Sequence, residues 1–514
     1  MSSPASPSPA ADSGKGLDRD LMLVASVVVL GAIMSILDVT VVNVAINTLA
    51  KEFDTTLTTI QWVATGYTLA LATVIPLTGW AADRFGTKRL YMISLFLFAL
   101  GSALSGLAWS EGSLIFFRIL QGFGGGMIMP AGMTILTRAA GTDRVGRVMA
   151  VIGIPMLLGP IFGPILGGWL VDNASWRWIF FINIPIAVVA LIASQRILPR
   201  DVPKHDERLD WLGLALLSPG LALLIYGLAE SGSAGGFGEA KVLLPMIVGA
   251  FALTAFVWHG LRTSNALIDL RLFKNRTFSV SAIALFLVII SVFGGMFLLP
   301  LYLQVVRGES AMDTGLLLAP QGFGAMISMP IAGRLTDRTG VGRIVPVGLT
   351  VVALSFLALT QLEADTSYWA FGVVLFVMGL GMGASMMPLF SGAMQTLRQA
   401  QVARASTTLN INQQVGASVG TALLSVLLAN ALSARLPGSG GGIGAAAEVA
   451  PDVRAQIVGP MADAFASTYW WAFGLVVVAL AIATPLLPKD KPPPVEDPEA
   501  EAEASAAAPA VLVH

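Results

Sequence analysis

The chain has 514 residues, of which 55% are hydrophobic and only 12% charged, and its formal net charge is -1. Because ordinary soluble domains carry about 25% charged residues, this composition excludes a soluble protein and predicts an integral membrane protein. The nearly balanced charge, without any basic block, gives no support for nucleic acid as a partner. The sequence contains no Cys, which excludes disulfides and thiolate metal sites.

Taken in chain order, the sequence is a series of apolar segments between two polar tails. A membrane-spanning helix needs about 20 mostly apolar residues. The Pro- and Ser-rich tail 1–20 and the Pro-, Glu- and Ala-rich tail 489–514 both predict disorder. The apolar segments between them are 21–45, 58–80, 90–110, 112–136, 146–171, 178–197, 210–229, 241–261, 278–303, 313–333, 344–362, 367–392, 405–431 and 467–488. The sequence therefore predicts an all-α membrane protein with fourteen transmembrane helices.

The orientation of these helices follows from the positions of Lys and Arg. With both termini in the cytoplasm, 23 of the 30 Lys and Arg residues fall in cytoplasmic segments and 6 in outer segments. Such an excess is typical of the cytoplasmic segments of membrane proteins. We therefore predict an even number of crossings with both termini inside. The longest outer segment is then 432–466, which is Gly-rich at its start.

A repeated motif divides the chain into two halves. The stretch "GWAADRFG" begins at Gly79 and "GRLTDRTG" begins at Gly333, and both match G-x-x-x-D-R-x-G on the same predicted side of the membrane. Parallel repeats of this kind predict two bundles related by an axis along the membrane normal. We assign 21–198 and 266–488 to two six-helix bundles and 199–265 to two linking transmembrane helices.

The repeated motif has a physical interpretation as a charge-dependent latch. Its glycines allow a tight turn, and its aspartate can accept hydrogen bonds from backbone amides or from an arginine. A latch of this kind would favour one rocking state of the bundles over the other. The alternative is a cytoplasmic loop that merely carries Asp and Arg. The candidate gating residues are Gly79, Asp83, Arg84, Gly86, Lys88 and Arg89 in the first copy, and Gly333, Asp337, Arg338 and Gly340 in the second.

Two charged residues lie well away from the ends of their apolar segments, Asp38 in the first and Arg118 in the fourth. A charge at the centre of a span costs roughly 2.5–3.5 kcal/mol on insertion scales, so such residues are rare and usually functional. Low dielectric favours the neutral form of a carboxyl, so Asp38 could bind a proton and a cationic substrate in turn. The alternatives are a structural hydrogen bond or an ion pair with Arg118 for Asp38, and snorkelling to the outer headgroups for Arg118.

These residues and motifs resemble a known family. The stretch "LDVTVVNVA" around Asp38, the gating motif, "RILQGFGGG" from Arg118 and "GPIFGPILGG" from Gly159 are similar to motifs of the major facilitator superfamily, and within it of the 14-helix drug:proton antiporters of the EmrB/QacA type. The resemblance implies the major facilitator fold, proton-coupled export and a role of Arg118 in proton handling. It also identifies an antiporter motif in Gly159, Gly163, Pro164, Gly167 and Gly168, although by their size alone these residues are equally compatible with close helix packing.

We therefore predict an antiporter, and not an enzyme, that exports small lipophilic or cationic compounds from a bacterium by alternating access in the cytoplasmic membrane. Its expected partners are a small-molecule substrate, protons and the lipid bilayer, and we expect a monomer. The chain lacks a phosphate-binding G-x-x-x-x-G-K-[ST] loop, so an ATP-driven pump would need another subunit, and we expect no cofactor or metal.

The substrate class is open to two further interpretations. A dedicated exporter of one metabolite, lipid or antibiotic would share every motif, and a membrane sensor without transport is a third possibility. Candidate residues for a substrate path are amide and aromatic side chains within the spans, namely Asn43, Gln61, Trp62, Tyr67, Gln304, Gln321, Asn412 and Gln413.

Overall fold

The structure, a computed structural model, describes residues 19–55, 57–60, 62–140, 159, 162–163, 166–171, 173–199, 208–233, 236–263, 266–398, 401–435 and 451–490. Its helices are α1 (Arg19–Glu52), α2 (Leu57–Ile60), α3 (Trp62–Val74), α4 (Leu77–Phe85), α5 (Thr87–Gly106), α6 (Glu111–Ala140), α7 (Trp178–Phe181), α8 (Asn183–Ile197), α9 (Trp211–Ser233), α10 (Ala240–Arg262), α11 (Arg276–Leu301), α12 (Ala311–Thr339), α13 (Val341–Leu359), α14 (Tyr368–Gln395), α15 (Val402–Arg435) and α16 (Pro451–Leu486). Short 3₁₀ and π turns at Leu270–Lys274 and Tyr302–Val306 flank α11. The regular elements of this part of the chain are all helical, which confirms the predicted fold class.

The helices of membrane-spanning length agree with the predicted apolar segments. Among the described residues, twelve helical spans are long and apolar enough to cross a membrane, and α3 with α4 forms a further span that is bent by 56°. Pro76 lies at this bend; because proline has no N–H, the carbonyl one turn earlier loses its helical partner. The remaining predicted segment, 146–171, lies mostly outside the described residues, although 166–171 are helical.

The spanning helices pack as two sets with a linking pair. In the first set, α6 lies against α1, α3 and α5, and α8 lies against α1 and α5. In the second set, α11 lies against α14, α15 and α16, and α13 lies against α14 and α16. Large buried side chains fill each set, such as Phe98 and Phe180 in the first and Phe356 and Tyr469 in the second.

The linking helices α9 and α10 pack against each other, and α9 also contacts α3 and α15, one helix from each set. Trp62 on α3 stacks on Tyr226 of α9, with ring centroids 5.9 Å apart. At the opposite end of the pair, Asp210 lies 2.8 Å from Nε2 of His259. The linking pair therefore contacts both sets of helices.

The two copies of the repeated motif lie mostly within helices. Gly86 is the single residue between α4 and α5, and Gly340 is the single residue between α12 and α13. Their φ angles are 86° and 89°, a left-handed conformation that glycine adopts without a steric penalty. Asp337 falls between the predicted segments 313–333 and 344–362, so the sequence predicts it in a loop; this is wrong, since Asp337 belongs to α12. We call the end of the molecule that holds Gly86 and Gly340 the motif end.

The predicted segment ends also require correction. The proposed outer segment 432–466 is shorter than predicted, because α15 continues to Arg435 and α16 begins at Pro451. Phe465 of this extension is buried and its ring centroid lies 5.8 Å from that of Tyr302, so packing continues the helix beyond the apolar run. α1 begins at Arg19, within the predicted N-terminal tail, and Asp490, within the predicted C-terminal tail, accepts from Arg343 Nη2 at 2.6 Å. The rest of both tails lies outside the described residues.

Candidate functional site

The carboxylate of Asp38 is buried in the middle of α1 and accepts hydrogen bonds from three side chains. Arg118 Nη1 donates to Oδ2 at 2.6 Å, and Oδ1 receives Gln121 Nε2 at 2.8 Å and Asn183 Nδ2 at 3.0 Å. The four residues are between 0% and 2% exposed. Because an unpaired charge in such a site would be costly, the pairing explains how α1 accommodates an acid in its apolar run.

Arg118 has further partners besides Asp38. Its Nη1 donates to Gln121 Oε1 at 2.7 Å and its Nε to the carbonyl of Val63 at 3.2 Å. Its guanidinium carbon lies 4.1 Å from the ring centroid of Tyr67, a cation–π distance. The alternative that Arg118 snorkels to headgroups is wrong, since the side chain is 1% exposed. The guanidinium is thus held by neutral groups as well as by the carboxylate.

The glycine-rich segment lies against α1 on both sides of Asp38. A Cβ at Gly159 would overlap Ile36, one at Gly163 would overlap Thr40, and one at Gly167 would come within 3.1 Å of Val41. Thr40 Oγ1 also approaches the carbonyl of Gly159 at 3.2 Å.

These glycines therefore permit close approach of a helix to the part of α1 that carries the buried acid. Gly168 differs, since a Cβ there would meet nothing within 4 Å. Pro164 lies outside the described residues.

At the motif end, the first copy of the repeat forms charged contacts between the two sets of helices. Asp83 of α4 accepts from Arg138 Nη2 of α6 at 3.3 Å and lies 3.9 Å from Arg404 Nε of α15. Arg138 also donates to Thr87 Oγ1 at 3.0 Å. Since α15 belongs to the second set, Asp83 connects both sets through two arginines.

Backbone packing at the motif end accompanies these charges. A Cβ at Gly79 would lie 3.1 Å from Thr407 Oγ1 and 3.7 Å from the carbonyl of Ala403 on α15. Ser406 Oγ donates to the carbonyl of Pro130 on α6 at 3.2 Å. The two sets of helices are therefore in direct contact at the motif end.

The other gating candidates have different surroundings. Lys88 Nζ donates to the carbonyls of Gln195 and Leu198 at 2.9 and 2.7 Å, which satisfies carbonyls at the C-terminal end of α8. In the second copy of the motif, Asp337 Oδ1 accepts from Gln395 Nε2 at 3.4 Å. Arg84 is half-buried, and Arg89 and Arg338 are exposed; Gly333 is buried in α12.

The proposed substrate-path residues do not form one cluster. The ring of Tyr67 packs against the guanidinium of Arg118, and Trp62 of α3 stacks on Tyr226 of the linking helix α9. Gln321 donates to Met382 Sδ at 3.1 Å, and Asn412 donates to the Ala282 carbonyl at 2.9 Å, so both connect neighbouring helices of the second set. Gln304 is exposed and Gln413 half-buried. Gln61 lies outside the described residues, and for Asn43 only the backbone is described.

Some residues of the site were absent from the sequence prediction. The sequence does not single out Ser102, Arg138 or Arg404, and it indicates Asn183 only as a candidate substrate-lining amide. One feature could have indicated Arg138 and Arg404: both lie near helix ends at the same end of the molecule as the motif. Ser102 carries no signal in the sequence, because Gly and Ser recur along this part of α5, at Gly101, Ser105 and Gly106.

Two sets of membrane-spanning helices, an ion pair buried between helices and a charged contact between the sets define an integral membrane protein of the transporter class. The family model of the Major Facilitator Superfamily matches residues 28–421. The Multidrug resistance protein B homolog of Mycobacterium tuberculosis is 45% identical over 504 residues, which cover 92% of this chain and 91% of that protein. The Multidrug export protein EmrB of Escherichia coli is 32% identical over 403 residues, 78% of this chain and 79% of that protein.

Solved structures show the same fold. The human organic anion transporter MFSD10 matches with a TM-score of 0.61 at 17% identity, over 91% of this chain and 100% of that chain. The proton:xylose symporter XylE matches with a TM-score of 0.61 at 15% identity, over 95% and 100%. The chain belongs to the Major Facilitator Superfamily. It is therefore a multi-pass membrane transporter of small molecules.

Proposed function

We propose that this chain is a proton-coupled antiporter that exports small lipophilic or cationic compounds by alternating access across the cytoplasmic membrane of a bacterium. The observation that carries the proposal is the buried carboxylate of Asp38, held by Arg118 and two amides within the first set of helices. The relatives named for multidrug resistance and multidrug export support the substrate class. On this proposal the chain is not an enzyme.

Asp38 is the candidate for coupling because its carboxylate can exchange a proton for a cation. When neither a proton nor a substrate cation is bound, Arg118 neutralises the carboxylate at a distance of 2.6 Å. A proton or a cationic substrate would compete with the guanidinium for the same oxygens. Arg118 retains the carbonyl of Val63, Gln121 Oε1 and the Tyr67 ring as neutral partners, so the ion pair can open without leaving the arginine unpartnered. This exchange would make uptake of one ion depend on release of the other.

The energy of one proton is sufficient for useful export. One elementary charge moving down 100 mV releases about 2.3 kcal/mol. Because each tenfold step in concentration takes about 1.4 kcal/mol, one proton could sustain a gradient of roughly 50-fold for a neutral substrate, whereas export of a monocation would draw on the pH gradient alone. Export of a lipophilic compound against its gradient therefore does not need ATP.

The motif end is assigned to the cytoplasm from the excess of Lys and Arg in the segments on that side. With this orientation, the contacts of Asp83 with Arg138 and Arg404 close the cytoplasmic end of the transporter. Export requires this end to open for substrate and to close again for release outside. The latch would stabilise the state in which the cytoplasmic end is closed, since its ion pairs join the two sets of helices.

A dedicated exporter of one metabolite, lipid or antibiotic is the second candidate, and it would share the site and the latch. The test uses purified protein in proteoliposomes with an imposed pH gradient and a panel of unrelated lipophilic cations and neutral dyes. Gradient-dependent transport of several unrelated compounds supports multidrug export, and transport of one compound supports the dedicated exporter. Absence of gradient-dependent transport for the whole panel would contradict multidrug export.

A further inference from the structure

Asn183 connects the buried carboxylate to the junction at which α7 is followed by α8. Its Nδ2 donates to Asp38 Oδ1 and to Ser102 Oγ, each at 3.0 Å. Ser102 Oγ in turn donates to the carbonyl of Phe180 at 2.8 Å. Asn183, Ser102 and Phe180 are 2%, 0% and 0% exposed. A continuous chain of hydrogen bonds therefore runs from α1 through α8 and α5 to the last turn of α7.

The direction of each hydrogen bond in this chain follows from its two ends. The carbonyl of Phe180 can only accept, so the Ser102 hydroxyl donates to it and must itself accept from the next group. The Asp38 carboxylate also can only accept. Asn183 lies between two acceptors, and only its NH₂ group can donate to both. The amide orientation is therefore determined by the network, which is the usual basis for assigning an amide.

Protonation of Asp38 would disturb this arrangement at one particular oxygen. A proton on Oδ2 would face Arg118, which can only donate, so the proton is favoured on Oδ1. There it faces the NH₂ groups of Gln121 and Asn183. One of these amides must turn so that its carbonyl oxygen accepts from the new O–H.

Gln121 is not the amide that turns. Its Oε1 already accepts from Arg118 Nη1 at 2.7 Å, and a turned Gln121 would point its NH₂ at the guanidinium. Asn183 has no such restriction, because its other partner, the Ser102 hydroxyl, can both donate and accept. After Asn183 turns, its oxygen occupies the position of the former Nδ2 and accepts from both Asp38 and Ser102. The Ser102 hydroxyl then leaves the carbonyl of Phe180.

We propose that Asn183 and Ser102 form a hydrogen-bond relay that detects protonation of Asp38 and transmits it to the carbonyl of Phe180 at the junction of α7 and α8. Both are positioning residues that act through Asp38. This inference rests on the proposed proton coupling and adds the path by which the proton changes the helices.

The junction of α7 and α8 is suited to respond to the relay. Ile182, the single residue between α7 and α8, keeps helical φ and ψ angles of -60° and -25°, and Pro185 has no N–H for the carbonyl of Phe181 one turn earlier. The Ser102 hydroxyl therefore contributes a hydrogen bond next to a place where the helical ladder is already incomplete. Loss of that bond would make the junction easier to bend, and α8 packs directly on α1 and α5.

The other charged and titratable groups around Asp38 do not replace the relay. Arg118 of α6 and Tyr67 of α3 are the charged and titratable side chains that the described helices bring to the carboxylate. Arg118 and Tyr67 belong to α6 and α3, whereas Ser102 and Asn183 belong to α5 and α8. The relay can therefore be altered without changing either group.

The test compares three substitutions in purified protein reconstituted in proteoliposomes, with ethidium as the fluorescent lipophilic cation. Asn183→Leu removes the amide, and Ser102→Ala removes the hydroxyl. The matched control is Ser105→Ala, because Ser105 is buried in the same helix and donates only to its own helix, to Gly101 at 2.8 Å. Two quantities are measured, the pH at which ethidium binding is half-maximal and the ethidium accumulation driven by an imposed pH gradient.

Each substitution has a distinct expected result. Asn183→Leu removes one of three donors to the carboxylate and shifts the pH of half-maximal binding upward by about one unit, since hydrogen bonds to charged groups are the strong ones. Ser102→Ala leaves that pH within about half a unit, because Asn183 still reaches Asp38, but it lowers gradient-driven accumulation several-fold. Ser105→Ala matches the wild type in both quantities.

The proposal is overturned if Ser102→Ala accumulates ethidium like Ser105→Ala, or if Asn183→Leu keeps the wild-type pH dependence. Failure of the proposed function is a separate result, in which the wild type itself shows no gradient-driven transport. If Asn183→Leu does not fold, infrared difference spectra of protein labelled with ¹³C-asparagine take the place of that variant in the test. Lowering the pH is expected to shift an asparagine side-chain band in the wild type but not in Asp38→Asn, and an unshifted band in the wild type would exclude the turning amide.

Discussion

Asp38 Oδ2 and Arg118 Nη1 lie 2.6 Å apart, and their side chains are 0% and 1% exposed. The two residues are 80 positions apart in the chain, on helices that would each carry an isolated charge in the membrane. The ion pair forms because α1 and α6 pack against each other where Asp38 and Arg118 lie.

Replacement of Asp38 by asparagine is expected to abolish proton-driven efflux while the protein still folds in the membrane. An asparagine keeps the shape of the carboxyl and one acceptor oxygen for Arg118, but it has no proton to exchange. Ethidium efflux from energised vesicles measures the effect, and Glu239→Gln is the control, since this exposed acid pairs with Lys241 in the linking pair. Efflux by Asp38→Asn at the level of the control would exclude the coupling role.

Replacement of Arg118 by alanine is expected to destabilise the protein strongly. Removing one partner of a buried ion pair typically costs about 3–5 kcal/mol, because the other charge is left without compensation. Thermal unfolding in detergent is the measurement. The double variant Arg118→Ala with Asp38→Asn should recover part of the loss, since no buried carboxylate remains. Equal midpoints for the single and double variants would contradict this explanation.

Replacement of Asp83 by alanine is expected to slow turnover and leave substrate binding intact. The substitution removes the acceptor for Arg138 and the neighbour of Arg404 at the motif end, and neither contact lies near Asp38. Arg404→Ala should slow turnover in the same direction. Transport rate and ethidium affinity are measured together, with the exposed Arg276→Ala as the control. Weakened binding with normal turnover would argue against a latch.

A disulfide across the motif end should stop transport reversibly. A Cβ at Gly79 would lie 3.1 Å from Thr407 Oγ1, which suits the short reach of a disulfide. Because the chain has no Cys, the pair Gly79→Cys with Thr407→Cys can form only this intramolecular bond. Oxidation should block transport and reduction restore it, whereas either single variant stays active. Continued transport by the fully cross-linked protein would show that the motif end need not open.

The glycine that approaches α1 most closely is expected to tolerate no side chain. A Cβ at Gly163 would overlap Thr40, so Gly163→Ala must displace α1 or its own helix, and overpacking of this kind costs about 1–3 kcal/mol. Gly168→Ala is the control, because a Cβ there meets nothing within 4 Å. The measurement is thermal stability in detergent. Equal thermal stability of the two variants would show that α1 can move aside without a loss of stability.

The sequence predicted the spanning helices more accurately than their ends. An apolar run of about 20 residues is a local property that the membrane itself requires, and each predicted segment within the described residues corresponds to a spanning helix. The ends depend on packing beyond the membrane, so α16 begins at Pro451 and not near 467. The repeated motif predicted Asp83 as a latch residue, but the arginines that it contacts, Arg138 and Arg404, lie on other helices and share no spacing with Asp83.

By itself, the sequence determined that this protein spans a membrane many times, that it repeats one motif on one side and that it places single charges in α1 and α6. These properties are local, because hydropathy, charge and glycine positions can be counted along the chain. Only the tertiary structure decided that Asp38 is paired with Arg118 and linked through Asn183 and Ser102 to α7. Which faces of the helices meet depends on their rotation and close packing, and an apolar run encodes neither.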